Sequence, residues 1–116
     1  MSSTDGVLRL LLLAVACASS AARASGAEVC PARPADPVQQ IHLFDGPPAD
    51  LAYLAPDGTG SRSDVYTLSG IHARGGSVTV RCIHRSGAAA EVLLKPTVAR
   101  CHFRRDADGA SHLRCR

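Results

Sequence analysis

Tryptophan is absent from the 116-residue chain, and only four aromatics occur: Phe44, Tyr53, Tyr66 and Phe103. Aromatic side chains supply a disproportionate share of core burial, so a large, densely filled core is excluded. No uninterrupted apolar run approaches the roughly 20 residues that span a bilayer as a helix. The densest stretch is VLRLLLLAVACA at 7–18, and Arg9 breaks it. Catalytic signatures are missing as well. There is no G-x-S-x-G elbow, no H-E-x-x-H and no glycine-rich phosphate loop with its lysine. Large enzyme scaffolds such as the (β/α)₈ barrel, which need about 200 residues, do not fit.

What is present begins with an address. Arg9 follows the amino terminus, Leu10 to Ala18 form an apolar centre, and small residues fill 19–27. This is the order of a secretory signal peptide. Ala22-Arg23-Ala24 and Ser25-Gly26-Ala27 both fit a small-x-small cleavage pattern. Residues 1–27 therefore read as a signal peptide cut near Ala27 or Ala24, and 28–116 as one small domain in the periplasm or secreted. Ala14-Val15-Ala16-Cys17 also resembles a bacterial lipobox. The alternative is thus a structural or accessory envelope lipoprotein, anchored to the membrane through Cys17.

Either way four cysteines remain in the folded part: Cys30, Cys82, Cys101 and Cys115. An even count in a short exported chain argues for two disulfides, with three connectivities open. A zinc site competes, because His84, His102 and His112 stand near cysteines. Paired C-x-x-C knuckles are lacking, and on a strand Cys101 and His102 point to opposite faces. No metal and no cofactor is therefore expected. A segment resembling a calcium loop, Asp57 to Asp64, fails because Arg62 replaces the glycine and Leu68 the bidentate glutamate.

The three prolines of 28–37 make an extended arm. Val38–Phe44, Asp64–Ser69, Ser77–His84, Glu91–Lys95, Val98–Arg105 and Ser111–Arg116 read as strands. Pro48–Leu54 reads as a short helix, with Leu51 and Leu54 on one side. The expected fold is mainly β (α+β): a small antiparallel sheet of about five strands with one short helix, stabilised by disulfides. Asp108-Gly109 marks the last hairpin. Centring its loop on Asp108 puts Cys101 opposite Cys115 and places Ala99, Cys101, Phe103, Leu113 and Cys115 on one inner face.

The opposite face then carries Arg100, His102, Arg104, His112, Arg114 and Arg116. Charge is segregated along the chain: residues 72–116 hold nine Arg or Lys against three Asp or Glu, and 28–71 hold two against six. One reading is an anion-binding surface for an acidic envelope component or an acidic protein surface. The bland alternatives are a solvated face, or one neutralised by the acidic half. Nucleic acid is not expected, since no aromatics interleave with the cations.

Leu43-Phe44-Asp45-Gly46-Pro47-Pro48-Ala49-Asp50-Leu51-Ala52-Tyr53-Leu54-Ala55-Pro56-Asp57 carries a family resemblance. Val80-Arg81-Cys82, Leu94-Lys95-Pro96, Cys101 and Cys115 continue it. The pattern resembles small exported four-cysteine proteins of Gram-negative bacteria over most of 30–116. Those proteins often carry an aromatic near the position of His84 and a Trp near Tyr66, where this chain departs. The resemblance implies a periplasmic or envelope setting and assigns no activity. The expected function is a non-enzymatic binding domain using the basic hairpin face; a small periplasmic hydrolase or inhibitor is the remaining alternative.

Overall fold

The structure, a computed structural model, describes residues 26–116. Most of the expected leader, Cys17 included, lies outside the described residues; its last residue, Ala27, is the first of β1. Among the described residues the strands are β1 (Ala27–Glu28), β2 (Val38–Asp45), β3 (Gly58–Thr59), β4 (Ser63–Thr67), β5 (Val78–His84), β6 (Ala89–Leu93), β7 (Arg100–Arg105) and β8 (Ser111–Cys115). One five-residue helix, α1 (Ser69–Ala73), joins β4 to β5. The fold is mainly β and entirely antiparallel within its sheets. The strands divide into a five-stranded sheet, β1-β8-β7-β4-β3, and a second one, β2-β5-β6.

Alternation explains how the sheets meet. On β5, Val78, Val80 and Cys82 are fully buried, and on β2 Leu43 stands opposite Val80. The larger sheet offers Cys101, Leu113 and Cys115, with Tyr66 and Phe103 partly buried beside them. These side chains join Val38, Leu68, Ile71 and Leu94 in one core cluster between the sheets. The serine hydroxyl of Ser111 on β8 donates to the Gln39 carbonyl of β2 at 3.0 Å, a polar tie at the rim of that core.

The proline arm is docked by four devices. A disulfide joins Cys30 to Cys82. The His84 ring, 1% exposed, lies between the Ala88 and Pro31 carbonyl oxygens at 3.2 and 3.4 Å. The Arg85 amide donates to the Pro37 carbonyl at 2.9 Å. The Asp36 carboxylate accepts from the Ser86 hydroxyl at 2.6 Å and its amide at 2.9 Å.

One local expectation is corrected. The helix expected over Pro48–Leu54 is a single 3-10 turn, Pro48–Asp50. Leu51 ends it in the left-handed region at φ 56°, and the Ala52 carbonyl and Leu54 amide return to pair with β2. Backbone pairing with a neighbouring strand outweighs the i, i+3 leucine spacing. The helix lies instead at Ser69–Ala73, where Ile71 is buried and the Gly76 amide caps the Ile71 carbonyl at 2.9 Å. A Cβ on Gly76 would stand 2.8 Å from Ile71 Cγ2, so this close turn admits only glycine without a shift.

Candidate anion-binding face

The β7–β8 hairpin forms as its loop chemistry requires. Gly109 takes φ 91°, the Asp106 amide donates to the Ala110 carbonyl at 2.8 Å, and the Asp108 carboxylate accepts from the Ala110 amide at 3.0 Å. Cys101 thereby faces Cys115 and Phe103 faces Leu113. The second disulfide closes between Cys101 and Cys115, whose Cα atoms are 4.1 Å apart. The neighbouring Arg100 and Arg116 exchange both backbone hydrogen bonds, which makes Cys101–Cys115 a non-hydrogen-bonded pair. That is where facing Cα atoms approach most closely. All four cysteines among the described residues are thus paired.

The side chains between those positions point outward. Arg100 sits opposite Arg116, His102 opposite Arg114, and Arg104 opposite His112. All six expected basic residues therefore share one face in three cross-strand rows. Like charges placed directly opposite destabilise a sheet, so the row of Arg100 and Arg116 is not one that folding alone favours. Five of them, His102, Arg104, His112, Arg114 and Arg116, line a shallow depression. On the next strand Val65, Ser63 and Thr67 continue the same face without charge, while Asp64 pairs with Phe103 and faces the other way.

Two carboxylates reach the face. Glu28 of β1 contacts His112 Nδ1 with Oε1 at 3.2 Å and Arg114 Nε with Oε2 at 3.3 Å. Asp106 contacts His112 Nε2 with Oδ2 at 2.8 Å and Arg104 Nε with Oδ1 at 3.3 Å. Of these two carboxylates Glu28 comes from the acidic half and Asp106 from the hairpin's own loop. The side chains are 33–64% exposed, and water screens such exposed pairs so that they add little to stability. Asp106 lies two residues beyond Arg104 and so continues the same face, which the hairpin reading could have found. Glu28 stands 84 residues from His112, and nothing local announces it.

The hydrogen bond from His112, then its charge and that of Arg104, holds the Asp106 carboxyl below the ordinary carboxylate range. Hydrogen bonds from Ser86 do the same for Asp36. A carboxylate whose folded value is depressed stabilises the fold above its unfolded value and loses that contribution as pH falls through the folded one. The melting temperature is therefore expected to fall with pH below about 4. Asp36→Asn with Asp106→Asn should flatten that fall; an acid slope equal to the wild type's would contradict it.

The histidines do not gather around a metal. His102 faces outward while Cys101 is buried in its disulfide, and His84 is engaged by the arm. Among the described residues no group of three His, Cys, Asp or Glu side chains is placed to hold an ion. Comparison of the chain with protein-family models, curated proteins and solved structures found no match.

Proposed function

We propose that the protein is a non-enzymatic, exported envelope domain that binds an anionic partner through the outward face of β7 and β8. The observation that carries this reading is the gathering of Arg100, His102, Arg104, His112, Arg114 and Arg116 in three cross-strand rows on one face of a hairpin closed by the Cys101–Cys115 disulfide. Arginine suits the task, because its planar fork grips carboxylate, phosphate or sulfate. The depression is lined by arginine and imidazole side chains, His102, Arg104, His112, Arg114 and Arg116, which suits an anionic ligand. Two intramolecular disulfides are compatible with an oxidising compartment. The leader-like residues 1–27 and the resemblance to small exported four-cysteine proteins support the periplasm as that compartment.

The test is retention on heparin-agarose. Wild-type protein should be retained at low salt and released as the Debye length shrinks from about 10 Å at 0.1 M to about 3 Å at 1 M. The Arg100→Glu, Arg104→Glu, Arg114→Glu variant should pass through unretained while keeping both disulfides and a cooperative melt. Retention equal to the wild type's would overturn the reading.

A further inference from the structure

Glu28 and Asp106 are more than neighbours of the basic face. Each carboxylate divides its two oxygens between one imidazole nitrogen and one arginine Nε, and the imidazole is the same, that of His112. We infer that the face carries two carboxylate subsites flanking His112, that Glu28 and Asp106 occupy them as internal ligands, and that an acidic polysaccharide displaces both. This rests on the anion-binding reading above and names both the ligand class and the competition that governs it.

Geometry supports exchange. Charge-assisted contacts usually close to about 2.7–2.9 Å. Three of these four are 3.2 or 3.3 Å, and only His112 Nε2 to Asp106 is short, at 2.8 Å. The Glu28 and Asp106 side chains are 36% and 40% exposed, so each can rotate into water without crossing the core. Glu28 belongs to a two-residue edge strand, and Asp106 opens the hairpin loop. The subsite chemistry selects the ligand: both cradles already hold a carboxylate by a two-point grip. Two cradles on one imidazole call for two carboxylates on one molecule. A uronic acid chain supplies them at intervals along a hydrophilic strand, which suits an open, polar sheet face.

The experiment is calorimetric titration of trigalacturonate at 0.15 M salt, where charges more than about 8 Å apart are largely screened. Glu28→Gln removes one internal ligand and should tighten binding about threefold, the scale of a surface ion pair. Asp106→Asn should act in the same direction. Glu91→Gln is the control. It removes the same charge from the smaller sheet, where Glu91 pairs with Arg81 at 2.8 Å, and should leave binding unchanged. Equal tightening by Glu91→Gln would mean that net charge alone is read, and would overturn the inference. So would Glu28→Gln binding no more tightly than the wild type. If that occurs while the three-arginine variant still loses all binding, the subsites fall and the basic face stands. Absence of binding by every form removes both.

Discussion

Replacing Cys30 and Cys82 together by alanine is expected to cost about 4 kcal/mol, and replacing Cys101 and Cys115 about 3 kcal/mol. The difference follows from separations of 52 and 14 residues, because a longer closed loop removes more entropy from the unfolded chain. Domains of this size are stable by only about 5–15 kcal/mol, so loss of the longer bridge takes a large share of the total. Cys82 is fully buried in β5 and Cys30 is 5% exposed, so the bridge also ties the proline arm onto the core. Urea unfolding of the two double variants measures both costs. A smaller loss for the Cys30–Cys82 pair than for the hairpin pair would contradict the assignment of the longer bridge as the main tie.

Phe44→Ala is expected to cost about 3–5 kcal/mol, the range for deleting a buried aromatic. Phe44 points away from the central core yet is completely buried. Its neighbour Leu43 faces the other sheet, and Phe44 is sealed from outside by Tyr53 at 4.7 Å and by the Arg81 guanidinium at 5.0 Å. The chain after the 3-10 turn folds back to bring Tyr53 there, with a bridge between Phe44 and Tyr53. Alanine would remove the ring on which both covering groups pack, leaving Tyr53 its contact with His42 and Arg81 its pair with Glu91. In a chain with four aromatics, few other side chains compensate. A loss below about 1 kcal/mol in the same urea assay would show that the segment over β2 is not packed as described.

The hairpin bridge and Phe44 differ in how far the sequence announces them. The hairpin could be read because its determinants are local. Asp108-Gly109 sets the loop, the register follows, and side-chain alternation places cysteines inside and arginines outside. Phe44 could not be placed, since β2 is covered on both faces and so lacks a clean apolar–polar alternation. Division into two sheets depends on which strands pair across long separations, such as β4 with β7, and strand patterns do not encode that choice. The position of the helix is hidden from the sequence for a related reason. Ser69–Ala73 is one short turn containing Gly70, with no side-chain cap, and it is held by the burial of Ile71. Three connectivities are open to the four cysteines from sequence alone, and the lie of the arm over β5 pairs Cys30 with Cys82. Of the candidate site, all six basic positions were visible from alternation. The carboxylate of Glu28 was not, because β1 reaches β8 only through the tertiary fold.

The central claim is that anions bind on the outward face of β7 and β8. Amide chemical-shift mapping during titration with trigalacturonate tests it most directly. The account predicts salt-sensitive shifts concentrated at Arg100, His102, Arg104, His112, Arg114 and Arg116, with smaller ones at Glu28 and Asp106. Shifts centred on β2, β5 and β6, or none at low salt with the fold intact, would contradict it.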